Sequence, residues 1–271
     1  MIGNYLVQTA SQFVDPSEVT GLTRQTLDLT DFAAVRATFL RERPSLIIHC
    51  AALTQSPACE ADPALAYLAN VDATKVLAEL AKDVQFLFLS TDLVFDGKAG
   101  NYDETASPAP LSVYGRTKHE AERAVLANPR HTIVRTSLNG GTSPTRNRGF
   151  NEQLRALWRS GKAAKLFCDE FRSPICAEVT ARALWELALS KQAGIFHIAG
   201  SERLSRLEIG EALARRHPDL NPRIEAGSLS EYTGAPRAPD TSLDCQKVQR
   251  LLSVPLPGFR GWLAANPTVD F

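Results

Sequence analysis

The sequence predicts an α/β protein built on a doubly wound parallel sheet, followed by a smaller mixed α/β part. Three observations predict it. Short apolar runs alternate with longer amphipathic ones from Val19 to Thr136, the apolar run Gln85-Phe86-Leu87-Phe88-Leu89 ends in Ser90-Thr91, and Tyr114 and Lys118 follow at helical spacing. Alternation of this kind is the pattern of βαβ units. In open α/β sheets the carboxyl ends of the strands are where ligands bind, and Ser90-Thr91 occupies such an end.

Along the chain, Val19-Thr20-Gly21-Leu22-Thr23 reads as a strand. Asp31 can cap a helix through Phe32, Val35 and Phe39, whose apolar residues recur three and four apart, and Arg43-Pro44 ends it. Residues 45 to 50 form a strand, Ala51-Ala52 a turn, and a helix runs from about Ala64 to Lys82 after a loop with Pro57 and Pro63. The strand ending at Ser90 leads into a long loop holding Gly97, Gly100, Pro108 and Pro110. A helix carrying Tyr114 and Lys118 continues to about Leu126, and His131 to Thr136 is another buried strand.

Beyond Ser137 the regularity breaks at Asn139-Gly140-Gly141-Thr142-Ser143-Pro144, a run of turn formers. This places a dinucleotide-binding unit in residues 1–137. Residues 138–271 mainly form a substrate-binding part, some of whose segments return to the first unit. Helical patterns recur near 150–160, 177–190, 205–216 and 243–252, with strand-like pieces at Lys165 to Cys168 and Gly194 to Ile198.

Composition narrows the function. Of 271 residues, 44% are hydrophobic and 22% charged, as in ordinary globular proteins, and formal net charge is zero. No run of like charges suits nucleic acid polymers or anionic membranes. No apolar stretch reaches the roughly 20 residues of a bilayer span, and no basic leader opens the chain, so a cytoplasmic protein is expected. The five cysteines (Cys50, Cys59, Cys168, Cys176, Cys245) form no CxxC and suit reduced, buried thiols. The five histidines lack ligand spacing, and no metal is expected.

The chemistry suggested by Tyr114 and Lys118 is hydride transfer. On a helix, residues four apart share a face about 6 Å apart along the axis, so the Lys118 ammonium can stand beside the Tyr114 phenol and favour phenolate. The Thr91 hydroxyl would hold a substrate carbonyl oxygen while Tyr114 protonates it.

Leu89-Ser90-Thr91-Asp92-Leu93-Val94-Phe95-Asp96-Gly97, then Tyr102-Asp103-Glu104, then Pro110-Leu111-Ser112-Val113-Tyr114-Gly115-Arg116-Thr117-Lys118 closely resemble the extended short-chain dehydrogenase/reductase superfamily. Within it, the nearest resemblance is to the dTDP-4-dehydrorhamnose reductase family. Val134-Arg135-Thr136-Ser137, Asp169-Glu170 with Ser173-Pro174, His197-Ile198-Ala199-Gly200 and Arg237-Ala238-Pro239-Asp240 with Leu243-Asp244 match it in order. The resemblance implies a Rossmann-type sheet binding NADP(H) or NAD(H), and reduction of a 4-keto sugar on a nucleoside diphosphate, in a protein with a possible homodimer partner. By motif, Thr91, Tyr114 and Lys118 inherit catalytic roles, and Lys118 would also hold the nicotinamide ribose. Asp28, with Leu29, would approach the adenine; Ala51 and Ala52 would allow close cofactor approach; Asn70 would sit behind the catalytic cluster. Asp28, Ala51, Ala52 and Asn70 each also have a plain structural reading, as turn, packing or satisfied core amide. Arg24 stands where an acidic residue would select NAD, and a guanidinium suits the extra phosphate of NADP, so NADP(H) is favoured and NAD(H) possible. Thr54, Arg172 and Arg237 are expected substrate contacts, the arginines for a diphosphate.

Met1-Ile2-Gly3-Asn4-Tyr5-Leu6-Val7 resembles the end of the family's glycine-rich turn and the start of its first helix, with Gly3 as the last glycine. The first strand and the earlier glycines are expected to be missing, through a start assigned too far downstream or a sheet that closes differently. Asp92-Leu93 replaces the Asp-Glu that sugar-nucleotide dehydratases place there, which favours simple reduction over dehydration or epimerisation. Leu138 and Gln55-Ser56-Pro57 depart from the rhamnose enzymes and bear on the choice of sugar. The alternative outside catalysis is a nucleotide-binding regulatory subunit, like the β subunit of methionine adenosyltransferase, which resembles the same family.

Overall fold

Leu46–His49, Gln85–Thr91, Thr132–Thr136 and Gly194–Ile198 lie side by side in that order, and every pair is parallel. The computed structural model describes all 271 residues. Parallel neighbours need a crossover, and each link here contains a helix: Ala73–Leu80, Val113–Leu126 and Ala177–Leu189 in turn. Burial on both faces explains the unbroken apolar runs of the strands. Phe86, Phe88 and Ile133 pack on one face against Val35, Val76, Leu77, Ala121 and Val125. Leu87, Leu89 and Val134, the alternate residues, join Leu6, Leu184, Trp185 and Phe196 on the other.

The amino-terminal helix Ile2–Thr9 belongs to that second layer, where Trp185 Nε1 donates to the Leu6 carbonyl at 2.9 Å. Asp31 caps Phe32–Glu42 by accepting from the Ala34 amide, and Arg43 closes it in the left-handed region at φ 45°. The helix read from Ala64 to Lys82 is Pro63–Tyr67 and Ala73–Leu80 joined through a π turn, Leu68–Asp72.

Two secondary-structure expectations fail. Val19–Thr23 is irregular, with no ladder partner; Gly21 packs against Val7, and Leu22 is left exposed. A strand is held by its neighbours, and Leu46–His49 has a partner only in Gln85–Thr91, so β-rich composition alone does not order residues 19–23. The helix expected over 243–252 shrinks to Gln246–Gln249, because the preceding backbone is used elsewhere. Tyr102 N–H donates to the Ser242 carbonyl, Asp244 N–H to the Tyr102 carbonyl and Leu243 N–H to Ser173 Oγ.

The carboxyl-terminal half adds small pairings. Ala164–Phe167 runs parallel to Ile224–Gly227, a strand the sequence pattern did not reveal, and Phe171–Arg172 pairs with Leu204–Ser205. Gly194–Ile198 leaves this half and extends the main sheet beside Thr132–Thr136. No helix is long and apolar enough to cross a membrane. All five cysteines are free, and Cys168 is exposed, unlike the buried thiol expected.

Beneath the Tyr114 helix, Arg135 and Glu122 form a bidentate ion pair, Nε to Oε1 at 3.0 Å and a terminal nitrogen to Oε2 at 2.8 Å, with both side chains out of solvent. Burial alone would raise the Glu122 carboxyl, but hydrogen bonds from His119 and Arg135, with the Arg135 charge, outweigh it and hold the pKa at about 2. A depressed carboxylate stabilises the fold fully above its unfolded pKa, near 4.5, and that stabilisation is lost as pH falls towards 2. Glu122→Gln strands the Arg135 charge, so urea unfolding at pH 7 is expected to show a loss of about 3 kcal/mol. The gap from wild type should narrow below pH 4; equal stability of the two proteins at pH 7 would refute the pair's role.

Candidate active site

Thr91 is the last residue of its strand, and its hydroxyl accepts from the Leu93 amide at 3.2 Å, capping the short turn Asp92–Val94. Opposite, Ser112 caps Val113–Leu126 by accepting from the Gly115 amide at 3.1 Å. Between these turns a Cβ on Gly115 would stand 2.3 Å from the Leu93 carbonyl oxygen. Glycine is therefore required here for close approach of backbone to backbone. That approach sets Tyr114, the neighbouring residue, beside Thr91.

Tyr114 is buried among Cys59, Ala66, Val113, Leu53 and Leu93. Burial pushes its phenol far above the ordinary range; the Thr91 hydroxyl opposes this, Asp92 adds to it, and the Arg172 guanidinium lowers it. The sequence-based expectation that Lys118 makes Tyr114 a phenolate is overturned, because desolvation dominates and leaves a neutral phenol. Lys118 is itself buried, its Nζ 3.8 Å from the centre of the Phe88 ring. Burial pulls its pKa down to about 7, against the opposing effects of Glu122 and Cys50.

The residues expected to meet a dinucleotide have the following surroundings. Gly3 sits in the first helix, and a Cβ there would stand 4.0 Å from that of Cys50, an ordinary contact, so the position does not demand glycine. Ala51 and Ala52 follow Leu46–His49 as irregular chain, Ala51 exposed, and Thr54 is exposed just beyond them. Asn70 is buried in the π turn and clamps the loop: it accepts from the Leu53 amide at 2.7 Å and donates to the Leu53 carbonyl and to Thr117 Oγ1. It ties the Ala51–Ala52 loop to the Tyr114 helix. Asp28 accepts from the Thr30 amide and hydroxyl, which hold its carboxyl below the usual range, and meets Arg24 at 3.5 Å. Leu29 packs against the core beneath. Arg24 is otherwise free in solvent.

The two arginines expected at a diphosphate are both engaged. Arg172 binds Asp92 at 2.9 Å and Glu170 at 3.2 Å, and Arg237 takes both Glu170 oxygens, at 2.8 and 3.1 Å. Arg206, which sequence reasoning missed, joins them and pairs with no carboxylate. Burial lowers its pKa to about 10; Glu170 works against this and Arg172 and Arg237 with it. Three guanidiniums thus face two carboxylates, Asp92 and Glu170, leaving one positive charge in surplus. The available signal was the Ser205–Glu208 capping box, which fixes Arg206 as the first residue of its helix.

Residues 1–266 match the protein family described as the RmlD substrate binding domain. The chain is 32% identical over 257 residues to a dTDP-4-dehydrorhamnose reductase of Sinorhizobium fredii, covering 89% of this chain and 86% of the relative. It is 31% identical over 237 residues to the methionine adenosyltransferase 2 subunit beta of Xenopus laevis, covering 83% and 70%. A crystal structure of dTDP-4-dehydrorhamnose reductase from Bacillus anthracis in complex with NADP superposes with a TM-score of 0.86 at 22% identity, covering 96% and 94% of the two chains.

A buried lysine with no carboxylate partner costs stability. Its pKa is 10.5 unfolded and about 7 folded, so the unfolded chain holds the proton more tightly. Stability is then lost as pH falls from about 10.5 to 7, and below 7 the cost is complete. Thermal melting of unliganded Lys118→Met is expected to lie roughly 5 °C above wild type at pH 6, with a smaller difference at pH 9.5. A variant that melts below wild type at pH 6 contradicts this account of Lys118.

Proposed function

The chain belongs to the family of the RmlD substrate binding domain, and from that premise we propose that it is an NADP(H)-dependent reductase of a nucleotide-linked 4-keto sugar. The observation that carries the proposal is the placement of Thr91 beside the Tyr114 phenol, with Lys118 one helical turn on. The reductases among its relatives and the NADP held by a protein of the same fold support it.

The residues fit the cofactor. Lys118, buried without an anionic partner, keeps its donors for ribose hydroxyls, and the Ala51–Ala52 loop offers small side chains beside them. Arg24, exposed and only loosely paired with Asp28, can turn to a phosphate on the adenine ribose. Bound NADPH would supply the hydride. Tyr114, kept neutral by burial, carries the proton that the new alkoxide needs, and this protonation state suits reduction. Thr91 holds the carbonyl oxygen. Residues 138–271 supply the substrate wall, where the surplus charge of Arg206 beside Arg172 and Arg237 suits a diphosphate, and the exposed Thr54 is a further substrate contact.

Tyr114→Phe is expected to lower kcat for NADPH oxidation with keto-sugar nucleotides by about 100-fold or more while leaving NADPH binding intact. Dinucleotide binding without turnover across a panel of such substrates would favour a regulatory subunit instead. Arg206→Gln should raise KM for the sugar nucleotide roughly tenfold with little change in kcat; an unchanged KM removes Arg206 from the diphosphate site.

A further inference from the structure

Asp92 stands between Thr91 and the carboxyl-terminal half, almost wholly buried. Its Oδ2 accepts three hydrogen bonds: from Ser137 Oγ at 2.7 Å, Arg172 at 2.9 Å and Thr241 Oγ1 at 3.0 Å. The donors come from three separate segments, and Arg172 also donates to Thr241 at 2.8 Å, so they form one unit. The carboxylate cannot turn without breaking all three. Its other oxygen, Oδ1, faces Thr91 Oγ1 at 3.2 Å.

An ionised carboxylate only accepts, so in the unliganded site Thr91 donates towards Oδ1, with the Tyr114 phenol as the other acceptor within its reach. The Leu93 amide donates to the same Thr91 oxygen and fixes its rotamer. Hydroxyl–carboxylate bonds are commonly shorter than about 3.0 Å, so the 3.2 Å contact is weak enough to yield to a substrate carbonyl. The bonds on Oδ2 hold the carboxylate; the bond on Oδ1 only aims the hydroxyl.

We propose that Asp92 is a positioning residue for the reduction: pinned by Ser137, Arg172 and Thr241, it orients the Thr91 hydroxyl that receives the substrate carbonyl. Thr91 is thereby aimed from the carboxyl-terminal half, and Arg172, which the sequence suggested as a substrate contact, serves the aiming through its pair with Asp92. The inference rests on the role given to Thr91 above.

Asp92→Asn tests it with little change of shape. Asparagine keeps the three donors by turning its oxygen to them, which sets its NH2 against Thr91 and reverses that one hydrogen bond. Steady-state kinetics with NADPH and a keto-sugar nucleotide should show kcat reduced about tenfold, with KM and the NADPH Kd within about twofold of wild type. In a Thr91→Val background, where kcat is already reduced roughly 100-fold, the same change should do nothing more, because Asp92 acts through Thr91. An unchanged kcat in the single variant, or a full additional loss in the double variant, overturns the proposal. If Thr91→Val alone leaves turnover intact, the catalytic reading of Thr91 fails first and the inference with it. Should Asp92→Asn not fold, Thr241→Val keeps the charge and the Arg172 pair while loosening the carboxylate. It should cost kcat several-fold in wild type and nothing in the Thr91→Val background, and equal losses in both overturn the proposal.

Discussion

The close approach of Val113–Leu126 to the end of Gln85–Thr91, allowed by the bare backbone of Gly115 against the Leu93 carbonyl, is the constraint on which the rest depends. It sets a single stripe of the helix against the sheet, and Tyr114, Lys118 and Glu122 are that stripe, each one turn beyond the last. Tyr114 reaches Thr91, Lys118 covers Phe88 and Glu122 closes on Arg135. Any side chain at Gly115 would lift the first turn and disturb the Tyr114 end most. Thr117, off the stripe, receives Asn70 and so fixes the loop after Leu46–His49 to the same helix.

Burial acts on the three stripe residues in the same way and produces three different outcomes, because only one has a partner for its charge. Glu122 stays ionised because Arg135 answers it with two hydrogen bonds. Tyr114 stays neutral because the Thr91 hydroxyl and the Arg172 guanidinium do not outweigh its desolvation. Lys118 is the intermediate case, a base weakened to near neutrality and facing an aromatic ring. A group left in that state binds an acceptor more favourably than an already satisfied one, since ligand binding then removes an existing cost. This gives a physical reason for Lys118 to be a cofactor contact, one independent of motif.

Much of the fold was legible because strands buried on both faces write themselves as continuous apolar runs, as Phe86 to Leu89 and Ile133 to Val134 do. Capping residues were legible for a similar reason: Asp31 carries out its local chemistry within three residues of itself. Val19–Thr23 was misread because being a strand is a property of neighbours, and that segment has none. In the candidate site, helical spacing was legible and charge states were not. Tyr114 and Lys118 sit four apart as the spacing requires, yet the direction of each titration is set by desolvation, which spacing does not encode. Arg172 and Arg237 looked free in sequence because their partners, Asp92 and Glu170, could be assigned only once the two halves were folded together.

Those ion pairs bear on how the two halves act as one. Tyr102 and Leu243 bridge them through backbone, Gly194–Ile198 crosses from one to the other, and Asp92 meets Arg172 at the point nearest the chemistry. A buried carboxylate with a single arginine partner would be costly and poorly directed. Here Ser137 and Thr241 share the load, and the arginine is held in turn by Glu170. Asp92, Arg172 and Thr241 are each fixed by at least two others, so the network can hold a direction as well as a charge. The surplus positive charge then falls on Arg206, the member with no carboxylate of its own, which makes the unpaired end of the network the end best suited to an anionic substrate.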